Sequence, residues 1–194
     1  MIPKNQVKIL NLLLRSTNKY GHNINQIAKT LKISTGSSFK ILKELEKKSF
    51  VISEKINNSK NYYLNFENKQ ARKLCEFILL EELNHLSRHA KLYTENIQEF
   101  KKAKLIILFG SILEKKEYKD VDALFVTTNI KEVQSFCFEL SKIRTKPVIP
   151  LILSEQDLIK EIKSKNPAVS SLINNGFILK GESVFVDLMK NVRA

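Results

Sequence analysis

Two aspartates one residue apart, Asp120 and Asp122, open the apolar run Val121-Asp-Ala-Leu-Phe-Val126. A short polar spacer separates them from an earlier apolar run, Lys104-Leu-Ile-Ile-Leu-Phe109, which closes on Gly110-Ser111. In a strand alternate side chains share a face, so residues i and i+2 present both carboxylates to one side. Such a pair is a ligand set for Mg²⁺ carrying a nucleotide phosphate.

An apolar strand, Gly-Ser and then Asp-x-Asp resembles the signature of the nucleotidyltransferase superfamily that includes DNA polymerase beta and the minimal nucleotidyltransferases. The segment from Asn166-Pro-Ala to Gly176-Phe-Ile-Leu-Lys-Gly-Glu-Ser-Val-Phe185 looks like the end of that family's domain, so the resemblance covers roughly the last half of the chain. It implies that Gly110 lets the backbone approach a triphosphate, that Ser111 bonds a phosphate oxygen, and that Asp120 and Asp122 hold Mg²⁺. It further implies a nucleoside triphosphate as ligand or substrate, with Ser111, Asp120 and Asp122 as the catalytic set.

The chain departs from the family's pattern at two places. Active members bring a third carboxylate from a later strand, to complete the metal site and activate the attacking hydroxyl. The run expected to be that strand, Lys146-Pro-Val-Ile-Pro-Leu-Ile-Leu-Ser154, holds no acid. Glu155 and Asp157 follow, but Ser154 reads as the N-cap of the next helix and puts them in its first turn. Lys119 stands where the family often has Ser. A bland alternative remains open, in which Asp120 and Asp122 are solvated strand-edge acids of a degenerate domain.

The elements around this site are set by size and charge. At 194 residues there is room for two small cores, and no apolar run approaches a membrane span. Met1-Ile-Pro-Lys-Asn leads directly into an amphipathic pattern, so no secretory leader is expected. Cys75 and Cys137 fall on different expected elements and read as free, buried thiols in a reducing cytoplasm. Residues 1–66 hold twelve Lys and Arg against three Glu, a net of +9, while the remainder holds 21 against 17, a net of +4. Lysine drawn only from a low-GC composition would be spread evenly. The concentration is the footprint of a phosphate-backbone binder.

Within that basic third, Gln6 to Ser16 reads as a mostly buried helix, and Asn23 caps a second helix over Ile24 to Leu31. Thr35 opens a third helix reaching Lys48. Phe50 to Ile56 and Asn61 to Phe66 read as a hairpin about the turn Asn57-Asn-Ser-Lys60. Three helices and a hairpin resemble the winged helix-turn-helix domains of bacterial and archaeal transcription regulators, and Ile33 to Val51 looks like their recognition helix running into the wing. Ser49 stands where that family often has Gly. On the third helix Ser38, Ile41, Leu42 and Leu45 share the inner side. Thr35, Ser37, Lys40, Lys43 and Lys47 are left for phosphate and base-edge contacts in a major groove, with Lys55, Asn58 and Lys60 at the wing. Phe39, on the flank, is expected to pack partly into the core rather than touch a thymine methyl.

Residues 67 to 102 contain no Pro or Gly and read as one long helix or a broken pair. Leu79, Leu83, Leu86, Ala90, Tyr93, Ile97 and Phe100 recur at steps of four and three, a short heptad seam. It suits either a homodimer through residues 79–100 or packing on the chain's own second domain. His85 and His89 have the spacing of a shared metal site, with Glu81 on the same stripe, although exposed surface histidines are the expected reading.

The expected fold class is therefore α+β: a winged helix-turn-helix over 1–66, a connecting helix over 67–102, and a nucleotidyltransferase-like α/β domain with a mixed sheet over 103–194. The leading functional reading is a cytoplasmic transcription regulator that binds double-stranded DNA and carries a nucleotidyltransferase-fold sensor or weakened enzyme. An active nucleotidyltransferase and an antitoxin-like scaffold are the alternatives.

Overall fold

The structure, a computed structural model, describes residues 2–114 and 117–193. The chain is α+β, and it divides into two units, residues 1–78 with 193–194, and residues 79–192. No helix among the described residues is long and apolar enough to cross a membrane.

In the first unit, α1 (Lys4–Arg15) buries Ile9, Leu10, Leu13 and Leu14, the spacing of one helical face. α2 (Ile24–Leu31) begins at a capping box, in which Asn23 Oδ1 accepts from the Gln26 amide and Gln26 Oε1 from the Asn23 amide, each at 2.9 Å. α3 (Thr35–Lys47) is capped by Ser34, whose Oγ accepts from Ser37 N–H at 3.1 Å. It ends in a Schellman turn: Phe50 N–H donates to Leu45 O and Ser49 N–H to Glu46 O, both at 2.9 Å. Ser49 takes the left-handed position, φ +56°, that glycine normally fills.

The hairpin is tighter than the sequence suggests. β2 (Val51–Ile56) and β3 (Ser59–Leu64) leave only Asn57 and Asn58 between them, at φ +46° and +62°. Those are the signs of a two-residue type I′ turn, and asparagine tolerates them. A third strand, β1 (His22–Asn23), pairs antiparallel with β3 and gives the order β1-β3-β2. The sequence offers no sign of it, because two polar residues have no alternation and only the pairing with Tyr62 and Asn61 makes them a strand.

The stretch expected as a connector is broken. α4 (Lys69–Glu82) is followed by a single 3-10 turn over Leu83–His85, and extended Leu86 leads to Ser87, which caps α5 (Arg88–Ile97) through Ala90 N–H at 3.2 Å. A serine ready to cap is what lets a Pro- and Gly-free run stop and restart. Leu86, Ala90, Tyr93, Ile97 and Phe100 are buried in the core of the second unit, with Leu83 packed against it. The seam residues Leu86 to Phe100 thus pack on their own domain and are not exposed for the expected homodimer through residues 79–100.

The second unit is built on a mixed sheet ordered β6-β5-β4-β7. β4 (Leu105–Phe109) lies antiparallel to β5 (Val121–Val126) and to β7 (Phe177–Lys180), while β6 (Val148–Leu153) runs parallel to β5. One face carries Ile106, Leu108, Ala123 and Phe125 into a core with α5 and with Val133, Cys137 and Leu140 of α7 (Ile130–Ile143). Toward the other face, α8 (Glu155–Lys163) packs on β6 and α9 (Pro167–Asn175) on β4. The four-residue α6 (Ser111–Glu114) follows β4, and α10 (Glu182–Arg193) closes the chain. Cys75 and Cys137 are free and buried, and burial pushes both thiols up to about 12, so neither is a thiolate at neutral pH.

Candidate functional site

The motif Gly-Ser…Asp-x-Asp is drawn together by the β4–β5 pairing. Phe109 at the end of β4 stands opposite Asp122 near the start of β5, so the turn that leaves β4 lies against the aspartate. Gly110 makes that turn at φ +83°, and a Cβ there would collide with Asp122 Oδ2. Glycine is required twice over, for its backbone angle and for the room it leaves the carboxylate. Ser111 is the first residue of α6 and half-buried.

Asp122, on the side of β5 away from Ala123 and Phe125, and Asp120, the residue just before the strand, are both half-buried. Burial pushes the Asp122 carboxyl above its ordinary value, and the negative charge of Asp120 adds to the push. A cation bound at Asp122 would relieve the push from the Asp120 charge. The two carboxylates fit a Mg²⁺ that keeps several waters and takes the rest of its oxygens from a nucleotide. Asp120 and Asp122 would hold it, and the ion would supply charge to a phosphoryl group. Next to the turn, a cavity of about 300 Å³ is lined by Gly110, Leu113, Glu114, Ser171, Asn175 and Phe177.

Among the described residues no third carboxylate joins them. In the parallel β5–β6 register the partner of Asp122 is Ile149, an apolar side chain left 46% exposed. Glu155 and Asp157 lie past the far end of β6, which is about 13 Å away along β5 at the usual rise per residue. There Asp157 belongs to the helix cap, its amide donating to Ser154 Oγ at 3.1 Å and its carboxylate accepting that hydroxyl at 2.6 Å. Glu155 faces Lys104 at 3.4 Å. His85 ends the 3-10 turn and His89 sits in α5 beyond the break, so the two are not neighbours on one helix. Among the described residues no group of three or more His, Cys, Asp or Glu is placed to hold a metal ion.

In the first unit, α3 divides cleanly. Ser38, Leu42 and Leu45 are buried, whereas Thr35, Lys40, Lys43 and Lys47 are exposed and Ser37 is half-buried. Phe39 is 51% exposed, so the expected packing into the core does not occur. At 100° per residue its Cβ is directed about 100° from that of Ser38, past the edge of the apolar stripe.

At the hairpin, Lys55 and Asn58 are exposed, Asn58 at the tip of the turn. Lys60 is otherwise engaged: its Nζ meets Glu46 Oε2 at 2.8 Å, and Glu46 Oε1 accepts from Ser53 Oγ at 2.5 Å. The hydrogen bond from Lys60 holds the Glu46 carboxyl below its usual range and raises the Lys60 ammonium above its own. This triad ties β2 and β3 to α3, a role the residue pattern did not disclose because the partners are seven and fourteen residues apart. It also pairs an acid on α3 with a cation.

Comparison of the chain with protein-family models, with curated proteins and with solved structures returns no match. Both resemblances therefore rest on the residues and geometry described above.

Proposed function

We propose that this protein is a DNA-binding transcription regulator whose first unit is a winged helix-turn-helix and whose second is a nucleotidyltransferase-fold sensor domain for a nucleotide and Mg²⁺. The observation that carries it is α3, a helix that buries one side and exposes Lys40, Lys43 and Lys47 on the other, within the part of the chain that holds +9 of its +13 net charge. A lysine ridge of that kind suits the phosphates flanking a major groove. The hairpin after α3 supplies a wing with Lys55 and Asn58 at its free end. Selection of bound duplexes from a random-sequence pool tests the reading: a regulator returns a defined motif, and a pool without sequence preference counts against it.

An active nucleotidyltransferase, moving a nucleoside monophosphate from a triphosphate to a hydroxyl, is the second reading. Gly110 against Asp122 and the paired carboxylates favour it. Ile149 in register with Asp122 weighs against it, because the attacking hydroxyl then lacks the usual base. Incubation with each labelled triphosphate, Mg²⁺ and candidate acceptors separates the two readings through label transfer.

A further inference from the structure

Gly36, in the first turn of α3, is a glycine for which the chain gives no internal reason. Gly21, Gly110 and Gly181 have positive φ, and an added Cβ at Gly176 would meet backbone at 2.6 Å. At Gly36 the backbone is ordinary helix, and a Cβ would find nothing within 4 Å. Glycine inside a helix is less stable than alanine, since its backbone loses more freedom on folding. Alanine would therefore serve α3 better.

The position shows what the glycine faces. Gly36 precedes Lys40, Lys43 and Lys47 by four, seven and eleven residues, and at 100° per residue all four lie within an arc of about 60°. That arc is opposite the buried Ser38, Leu42 and Leu45, and it holds no acid. Removing a side chain there lets an outside group come against the helix backbone, and three lysines on the same ridge require that group to be anionic.

We infer that Gly36 is where duplex DNA makes its closest approach to α3, its missing side chain setting how deeply the helix sits in the major groove. The inference rests on the DNA-binding reading and adds the depth of docking to it. Gly36→Ala and Gly36→Leu in the full chain test it with two readouts. Amide exchange at Leu42 and Leu45 slows or holds with Ala, because the helix is improved. Affinity for duplex DNA falls about tenfold with Ala, comparable to losing one good base contact, and further with Leu. Unchanged affinity in both variants, with wild type binding DNA, overturns the inference and leaves the DNA reading standing. Faster exchange in Gly36→Ala also overturns it, by giving the glycine a structural role. A wild-type chain that binds no duplex removes the DNA reading and this inference together.

Discussion

Ser49 is a residue whose chemistry is poorly suited to its place. It holds the left-handed position of the Schellman turn after α3, its carbonyl accepting from Asn65 Nδ2 at 2.9 Å, yet it has a Cβ that crowds the following carbonyl. Ser49→Gly should stabilise the first unit by about 1 kcal/mol, checked by denaturant unfolding. Asp122 is strained in a different sense. Because its carboxyl is held above the ordinary value, the folded chain binds that proton more tightly than the unfolded one. Stability then falls as pH rises from the ordinary carboxylate range through the raised value. Asp120→Asn with Asp122→Asn should leave the neutral-pH fold intact or more stable. The same pair of changes should abolish the stabilisation that Mg²⁺ with nucleotide gives wild type, about 2.7 kcal/mol at a hundred times the dissociation constant. A wild-type melt that no triphosphate with Mg²⁺ or Mn²⁺ shifts would count against a working site.

Elements show which features could be read from the sequence and which could not. The caps Asn23 and Ser154 were legible, because a short oxygen-bearing side chain before an apolar period has one local use, whereas Ser34, read as part of the turn, caps α3. So were the two strands of the Gly-Ser…Asp-x-Asp site and the antiparallel hairpin. β1 was hidden, since it exists only through pairing with β3, and so was the register that sets Ile149 beside Asp122. The break at Leu86 was half-visible: Ser87 marks it, but a heptad of apolar residues runs across it without interruption. Because those residues are buried in their own domain, Leu86→Lys should not yield a folded monomer from a dimer. It should destabilise the second unit by about 3 kcal/mol or more through a buried unpaired charge, measured by chemical denaturation. On β6, Ile149→Asp should set a third carboxylate beside Asp122 and tighten Mn²⁺ binding, read by calorimetry. An unchanged Mn²⁺ affinity would mean that the β5–β6 register does not bring the two side chains together.

At the scale of the whole molecule the two units carry different charge, and the proposed function rests on that difference. The first unit concentrates cations on one helix face and pairs the nearby Glu46 with Lys60, while the second, nearly balanced, holds the adjacent carboxylates of Asp120 and Asp122. On the proposed reading a polyanion binds the first and a metal-bound nucleotide the second. The measurement that tests this most directly is the affinity of the full chain for duplex DNA across a salt series, set beside Lys40→Ala with Lys43→Ala. Each neutralised phosphate releases condensed counterions, so log affinity should fall with log salt by about 0.9 per phosphate contacted, and the double variant should bind more weakly with a slope shallower by about 2. A wild-type affinity that is flat with salt, or a double variant whose affinity and slope match wild type, would contradict DNA binding through α3.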